Sequence, residues 1–276
     1  MRKIVFNICM AVAVLMASSC VKESRINCPC YLNFAHAGFD NNGYIDDICL
    51  YVVDEKSRET SEIYRVEELI LDKADVGVTR GDVDVYGLVG LSGMKVNNYT
   101  NLMIPFGHQC DPLLAFYDAV PAYGERAPVY GRINKQYAKV RITLNMPEVE
   151  GMLAAKAIGN VNGVNMQTMA ALRGDFACIA ESWENGLHVF RIPRQLDNSL
   201  RLEIWQLPES GSCDINMEGG RKLSFLEIGK IINDRLEYDW NAESLADIDL
   251  DIDYVAGMIT VRVREWDRVE MYSIDI

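Results

Sequence analysis

Alternation of apolar and polar residues with a period of two is the feature that most constrains the fold of this chain. Successive side chains of a strand point to opposite faces, so the pattern is typical of sheets. With short apolar runs included, it predicts strands at residues 31–37, 46–54, 82–91, 101–105, 113–118, 138–145, 176–180, 188–192, 199–207, 258–264 and 269–274. Helical periodicity is confined to residues 58–73, 148–157 and 222–233. The sequence therefore predicts an all-β fold with a few short helices.

Two local motifs refine this prediction. Asn42-Gly43 lies between the first two predicted strands and favours a two-residue hairpin turn, because both residues tolerate positive φ. Ser224, followed three residues later by Glu227, matches a capping box that predicts a helix over residues 225–232.

Length and composition favour two domains. Hydrophobic residues make up 49% of the 276 residues and charged residues 24%, which is enough apolar surface to bury a core. The most turn-rich stretch near the middle covers residues 121–128. We therefore predict one β-sandwich at residues 30–132 and a second at residues 133–276.

The amino-terminal segment predicts export. Arg2 and Lys3 precede an apolar run at residues 4–16, as in a secretory signal peptide. At about 1.5 Å per residue, a helix over this run is shorter than the roughly 30 Å hydrocarbon core of a bilayer. We therefore predict a cleaved signal peptide at residues 1–19 rather than a membrane anchor.

A cysteine directly after this segment predicts lipidation. Ala17-Ser18-Ser19 before Cys20 resembles the lipobox of bacterial lipoproteins, in which the cysteine is acylated. Lys22-Glu23 resembles the short charged signal that sends some Bacteroidetes lipoproteins to the outer face of the outer membrane. The prediction is a lipid on Cys20 and a lipidated linker at residues 20–29. The alternative is a secreted protein in which Cys20 forms a disulfide.

The formal net charge of −13 narrows the class of partner. Nucleic-acid binding requires clustered Lys and Arg, so the acidic balance argues against it. It argues equally against electrostatic adsorption to anionic lipid. Attachment to a membrane would therefore depend on acyl groups, of which two or more are needed to hold a protein stably.

The remaining cysteines permit disulfides without defining them. An even set follows Cys20, namely Cys28, Cys30, Cys49, Cys110, Cys178 and Cys213. An exported chain meets an oxidising compartment, but the sequence leaves the connectivity open. A zinc site is disfavoured, because the spacing of Cys28 and Cys30 does not suit one and histidines are few.

Catalytic motifs are missing from the sequence, which contains no nucleophile elbow, phosphate loop or dinucleotide fingerprint. Aspartates alternate with apolar residues at 247–253, which would place four carboxylates on one strand face. We interpret them as a solvated face with Ile248, Leu250 and Ile252 directed inward. Residues 40–47 lack the spacing of a calcium loop. We therefore predict no enzyme activity, no metal and no cofactor.

Several short motifs spread along the chain resemble those of one known family. Cys28-Pro29-Cys30 and the strand at residues 48–54 are similar to its start. Residues 104–107 and 113–117 are similar to its Pro-x-Gly turn and the following strand, and residues 137–144 to its mid-chain strand. Residues 249–253, 258–263 and 266–269 are similar to its terminal segments. Together these motifs resemble the FimB-type minor, or anchor, fimbrial subunits of Bacteroidetes lipoproteins.

This resemblance implies two transthyretin-like β-sandwiches, a lipid-held outer-membrane protein at the cell surface, and no enzymatic activity. The implied partner is a fimbrial stalk subunit, and the implied mode of assembly is strand complementation. The alternative is a surface lipoprotein that binds glycan or another host ligand.

The carboxyl-terminal hairpin is the predicted assembly interface. Residues 258–264 alternate, and residues 269–276 return as a second strand without a run of charges to blunt its edge. We therefore expect Val269, Tyr272 and Ile274 to contact the neighbouring subunit. The alternative is that this strand is paired internally and that the first domain makes the contact.

Overall fold

Strands dominate the computed structural model, which describes residues 28–39, 45–97, 100–208, 214–255, 258–265 and 268–274. The first ten strands are β1 (Cys30–Asn33), β2 (Asp47–Asp54), β3 (Glu59–Arg65), β4 (Val76–Val78), β5 (Gly81–Val89), β6 (Lys95–Asn97), β7 (Asn101–Met103), β8 (Leu114–Ala122), β9 (Arg126–Pro128) and β10 (Asn134–Lys135). The others are β11 (Tyr137–Asn145), β12 (Met152–Asn165), β13 (Ala171–Ile179), β14 (Glu181–Ser182), β15 (Leu187–Pro193), β16 (Arg201–Leu207), β17 (Arg221–Leu226), β18 (Ile248–Val255), β19 (Met258–Glu265) and β20 (Arg268–Ile274). The helical elements in these ranges are α1 (Val66–Ile70), α2 (Ile228–Leu236) and a 3-10 turn at Glu184–Gly186. The predicted all-β class is confirmed.

The first pair of sheets encloses an apolar core. Five antiparallel strands in the order β10-β8-β5-β2-β3 face a three-stranded sheet in the order β4-β1-β9. β1 pairs antiparallel with β4 and parallel with β9. Leu32, Val85 and Phe116 are members of this first core, with 2%, 0% and 2% of their surface exposed.

The second pair of sheets encloses a larger core. One sheet has the order β14-β15-β11-β18-β19-β20, and the other has the order β17-β16-β12-β7-β6 with β13 also bonded to β12. The second core includes Val140 of β11, Phe190 of β15 and Leu202 of β16, each fully buried. Ile228 and Ile232 of α2 add to it, so this helix closes part of the space between the two sheets.

β5 connects the two cores because residues from its two faces are buried in different cores. Val83 and Val85 belong to the first core, whereas Tyr86 and Leu88 belong to the second. The second half of β5, from Val85 to Leu88, is buried on both faces and is apolar throughout, whereas Asp82 in the first half is exposed. The ring of Tyr86 lies 5.3 Å from that of Tyr117, measured between centroids. The two pairs of sheets are therefore joined by packing.

The predicted hairpin between the first two strands is wrong. The turn predicted at Asn42-Gly43 lies outside the described residues. Residues 40–44, which belong to the calcium loop rejected above, lie outside them as well. β1 bonds to β4 and β9, whereas β2 bonds to β3 and β5. The two strands therefore lie in different sheets across the first core. Apolar side chains of both strands, Leu32 and Ile48 among them, are buried in the first core, which favours this arrangement over direct pairing.

All three predicted helical windows need correction. Residues 59–65 form β3, so only α1 remains helical in the first window. The second window lies largely in β12, which is central in its sheet with β13 and β16 on either side. In the third, Ser224 pairs with Ile204 within a sheet. The helix therefore begins at Ile228, and its N-cap, Glu227, makes no capping side-chain hydrogen bond.

The predicted domain boundary near residue 132 stays a prediction, as does the transthyretin-like topology of each sandwich. β6 and β7 precede this position in the chain, yet they extend the sheet that contains β12. Strands from both sides of residue 132 therefore share a sheet.

The cysteines in the described ranges carry free thiols. They are Cys28, Cys30, Cys49, Cys110 and Cys178, whereas Cys213 lies outside those ranges. Cys110 and Cys178 are buried in the second core, and this burial raises the pKa of Cys178 to about 12. A thiol with so high a pKa is a poor nucleophile at neutral pH, because the reactive species is the thiolate.

Candidate assembly edge at the C-terminal hairpin

The predicted lipidation and export residues lie outside the part of the chain that the structure describes. Cys20, Lys22 and Glu23 all precede Cys28, the first described residue. Cys28 is exposed, and its carbonyl oxygen accepts a hydrogen bond from Nε of Arg80 at 3.1 Å. Lipidation of Cys20 therefore stays a prediction.

β18 brings the alternating aspartates into the middle of a sheet. It pairs in parallel with β11 and antiparallel with β19. Ile248, Leu250 and Ile252 are buried, with 1%, 2% and 0% exposed, which confirms that they point inward. Asp251 is only 9% exposed, so this part of the predicted solvated face is wrong. The reason is its position opposite Arg262 on a central strand.

Basic side chains on the neighbouring strands bind these carboxylates. Arg141 lies directly opposite Asp249 and forms a bidentate ion pair with it, in which Arg141 Nη2 lies 2.9 Å from Asp249 Oδ2. This hydrogen bonding raises the pKa of Arg141. Asp253 is paired with Arg262 and accepts a hydrogen bond from Asn145 Nδ2 at 3.0 Å. Among the described residues, no group of three or more His, Cys, Asp or Glu side chains is arranged to hold a metal ion.

The hairpin itself ends this sheet. β19 pairs with β18 on one side and with β20 on the other, and β20 is the last strand in the order. Ile259 and Val261 of β19 are fully buried in the second core, so the hairpin is anchored by apolar packing. An edge strand presents a row of backbone N–H and C=O groups that another chain can pair with. β20 therefore has the geometry of an assembly edge.

The register divides the three predicted interface residues between two faces. Tyr272 lies opposite Val261 and Ile274 opposite Ile259, so both positions share the face that carries these two core residues. Val269 lies opposite Arg264, on the alternate face. The structure brings the three residues onto one edge strand but does not place them on one surface.

The loop between α2 and β18 is fixed to the end of β10. The backbone N–H of Lys135 donates to Ser244 Oγ at 3.1 Å, and the N–H of Leu245 donates to the Lys135 carbonyl at 3.0 Å. Lys135 also forms an ion pair with Asp247. These contacts set the position at which the chain enters β18 and then the hairpin.

Arg194 is the residue of this region that the sequence did not reveal. It is 7% exposed and follows β15. Its guanidinium donates to the carbonyl oxygens of Trp240 at 2.8 Å, Ala242 at 2.6 Å and Glu243 at 2.8 Å, and to Gln136 Oε1 at 3.0 Å. Burial lowers its pKa. No local pattern marks it, because every partner is distant in sequence.

The helices in the described ranges were compared with the length and apolarity that a membrane span requires. No helix there is both long enough and apolar enough to span a bilayer.

Comparison with known proteins finds similarity in fold alone. No protein-family model matches the chain, and no curated protein matches its sequence. A candidate polysaccharide-binding protein of Bacteroides thetaiotaomicron is 11% identical with a TM-score of 0.57, covering 90% of this chain and 98% of that one. A candidate adhesin from Bacteroides ovatus is 11% identical with a TM-score of 0.54, covering 89% and 95%. The fimbrial anchor protein Mfa2 from Porphyromonas gingivalis is 10% identical with a TM-score of 0.50, covering 84% and 96%. The chain thus has the fold of these three proteins.

Proposed function

We propose that this chain is a surface-exposed outer-membrane lipoprotein that serves as a fimbrial anchor or minor subunit. In this proposal, acyl groups on Cys20 hold it in the membrane, Lys22 and Glu23 direct its export, and the chain divides near residue 132 into two transthyretin-like sandwiches. The protein has no catalytic role. Its partner is a stalk pilin.

The observation that carries the proposal is the position of β20. It is the last strand of a six-stranded sheet and is joined to the buried β19 by antiparallel pairing. A pilus subunit needs such an edge, because backbone hydrogen bonds between strands supply affinity and alternate side chains supply selectivity. The fold shared with the fimbrial anchor protein Mfa2 supports the same role.

Strand complementation would use both faces of the hairpin. A segment of the stalk pilin pairs with the outer edge of β20, which extends the sheet by one strand. On one face, the added strand continues the row that contains Ile274 and Tyr272, and on the other it continues the row that contains Val269. Assembly of this kind requires no cofactor and no metal.

Lipidation is tested by replacing Cys20 with serine. We expect Cys20→Ser to incorporate no labelled palmitate and to leave the outer-membrane fraction, because serine offers no thiol for acylation. Cys28→Ser is the matched control, since it removes an exposed thiol from the same linker region and should keep both the label and the location. Label in the Cys20→Ser protein would refute the lipoprotein assignment.

Assembly is tested by two pairs of proline substitutions in β20. Alternate residues of an edge strand direct their N–H groups toward the neighbouring strand or away from the sheet. Tyr272→Pro with Ile274→Pro removes one set of donors, and Met271→Pro with Ser273→Pro removes the other. We expect the pair that removes the outward donors to keep the parental melting temperature and to retain at least tenfold fewer fimbriae on the cell.

Electron microscopy and immunoblotting of the cell-associated and shed fractions would measure this retention. The second pair serves as the control, because it removes donors to β19 and should lower the melting temperature. If both pairs remained folded and lipidated and still retained fimbriae as the parent does, β20 would not be the assembly edge.

A further inference from the structure

β3 is an exposed sheet edge that the proposed fimbrial role does not use. It is the last strand of the five-stranded sheet, and β2 pairs with it on its inner side. Among the described residues, no backbone hydrogen bond is recorded on its outer side. Six of its seven residues are exposed, and Tyr64 is half-buried. By comparison, the edge strands β4, β9, β10 and β14 contain only two or three residues each.

The strand lacks several features that usually keep a sheet edge from pairing with another chain. Such features include Lys, Pro and β-bulges. β3 contains neither Lys nor Pro, and its register with β2 runs from residue 59 to residue 65 without a bulge. Ile63 is 71% exposed, the largest exposed fraction among the large hydrophobic residues of the described ranges. Charged side chains also protect an edge, so their signs decide whether a second copy is repelled.

Full overlap of β3 with the β3 of a second copy fixes one antiparallel register. A two-fold axis relates identical strands that run in opposite directions, so it passes through the middle residue, Glu62. Residue 59 then lies opposite residue 65 of the other copy, residue 60 opposite residue 64, and residue 61 opposite residue 63. The two five-stranded sheets become one sheet of ten strands, which is within the usual size.

The charges of β3 are complementary in this register. Glu59 of each copy lies opposite Arg65 of the other, which gives two pairs of opposite charge. Arg65 is exposed and has no recorded ion pair within the described ranges, so its charge is available for this contact. Glu59 accepts a hydrogen bond from Tyr51 through one oxygen, which leaves the other oxygen for Arg65. The one unfavourable contact joins the two Glu62 side chains at the axis, each of which accepts a hydrogen bond from Tyr64 at 2.8 Å.

The same register covers the exposed isoleucine. Ile63 lies opposite Ser61 of the other copy, and the two Ile63 side chains are diagonal neighbours on one face of the joined sheet. Diagonal neighbours have Cβ atoms less than about 8 Å apart, so each isoleucine removes part of the other from water. Backbone hydrogen bonds along the seven residues supply the rest of the affinity.

We propose that β3 is a self-association edge, through which two copies of this chain pair antiparallel about an axis at Glu62. The partner is a second copy, because the charges at the two ends of the strand complement each other when its direction is reversed. The proposal goes beyond the fimbrial role and does not depend on it, since β3 and the β20 edge belong to different sheets.

The register is tested by cross-linking the purified full chain through one introduced cysteine. Glu62→Cys places two thiols directly opposite each other, with Cα atoms about 4.5–5.5 Å apart, which suits a disulfide. Thr60→Cys is the matched control, because Thr60 is exposed on the same face of β3 but would lie about 13 Å along the strand from its copy.

The oxidant is dissolved oxygen with copper phenanthroline as catalyst, and detergent micelles are kept in excess over chains so that two chains share a micelle only through association. We expect at least fivefold more disulfide-linked dimer from Glu62→Cys than from Thr60→Cys. The parent chain measures the background from its own thiols, of which Cys28 is exposed.

Charge reversal tests the ion pairs in the Glu62→Cys background. Arg65→Glu places a like charge opposite Glu59 and should lower the yield of dimer at least fivefold, and adding Glu59→Arg should restore it. The melting temperature of each variant is measured beside the yield, so that a loss of dimer is separated from a loss of fold. Equal yields from Glu62→Cys and Thr60→Cys, or a yield that Arg65→Glu leaves unchanged, would overturn the proposal. Neither result bears on fimbrial assembly, because β20 is unchanged in every variant.

Discussion

Replacing Arg194 with methionine is expected to lower the free energy of unfolding by about 3–5 kcal/mol, the cost typical of breaking a buried charged network. Methionine has a similar length but donates no hydrogen bond. The variant leaves three backbone carbonyl oxygens and Gln136 Oε1 without their donor. Urea unfolding followed by tryptophan fluorescence measures the change, because Trp240 packs beside the substituted group.

The matched control is Arg173→Met, which removes the same side chain from a solvent-exposed position. Arg173 is 68% exposed, and its one ion pair, to Asp197, has an N–O distance of 3.4 Å. Exposed pairs of this kind contribute about 0–1 kcal/mol, so we expect little change in stability. A loss of less than about 1 kcal/mol in Arg194→Met would show that water replaces the guanidinium at the carbonyl oxygens.

Arg194 also fixes the loop that leads into β18, the strand that pairs with the hairpin of the proposed assembly edge. The carbonyl groups it binds belong to residues 240, 242 and 243, and β18 begins at Ile248. Arg194→Lys keeps the charge but has three donors in place of the guanidinium fork, so it cannot satisfy all four acceptors. We therefore expect it to fall between the parent and Arg194→Met in stability.

The strands that could be predicted from sequence are those whose alternation reflects one buried face. β11 alternates strictly between buried and partly exposed residues, and β16 and β19 follow the same rule in sequence. Each was predicted close to its observed bounds. A pattern with period two is decisive here, because it assigns every residue to a face.

β12 could not be predicted, because its composition favours a helix and its surroundings require a strand. Ala154, Ala155 and Ala157 have high helix propensity, yet they are buried in the centre of a sheet. β13 and β16 bond to β12 on either side, and small side chains allow the two sheets to approach each other. Tertiary packing therefore decides between the two structures, and a single sequence window does not contain it.

The candidate site likewise has features that could be predicted from the sequence and features that could not. The terminal hairpin follows from local alternation, so its existence and its position at the sheet edge could be reached from sequence. The register of β20 against β19, which separates Val269 from Tyr272 and Ile274, depends on the loop between them. The Arg194 network joins residues that are 46 to 58 positions apart, and no local pattern encodes such contacts.

Replacing Asp111 with asparagine is expected to lower the free energy of unfolding by about 2–4 kcal/mol at neutral pH, since hydrogen bonds to a charged group contribute about 1.5–3 kcal/mol each before compensation. Asp111 is 6% exposed. Its carboxylate accepts hydrogen bonds from the backbone N–H groups of Ser92 at 2.8 Å, Gly93 at 2.8 Å and Met94 at 2.9 Å, and from Ser92 Oγ at 2.7 Å. An asparagine amide would direct N–H groups at some of these donors.

The structure of this turn explains why the carboxylate is required. Gly90 has a φ of +79°, and a Cβ atom at this position would lie 2.3 Å from the carbonyl oxygen of Pro112. The turn therefore passes too close to the Asp111 segment for a side chain. Three consecutive N–H groups then point at one anion, and Met94 is carried into the second core. Loss of the anion exposes these donors and loosens Met94.

The effect of Asp111→Asn should depend on pH in a defined direction. Burial raises the pKa of Asp111, but the hydrogen bonds from Met94, Ser92 and Gly93 outweigh it, and the net pKa is lowered. A lowered pKa stabilises the fold fully above the pKa of an unfolded aspartate, about 3.9, and this stabilisation is lost as pH falls through the folded-state value. The stability difference between parent and variant should thus be constant from about pH 7 to pH 5 and shrink below about pH 4.

Asp175→Asn makes the same change at an exposed position and should alter stability by less than about 0.5 kcal/mol. A difference that grows as the pH falls would mean that Asp111 is protonated in the folded protein and that its hydrogen bonds do not depend on the charge.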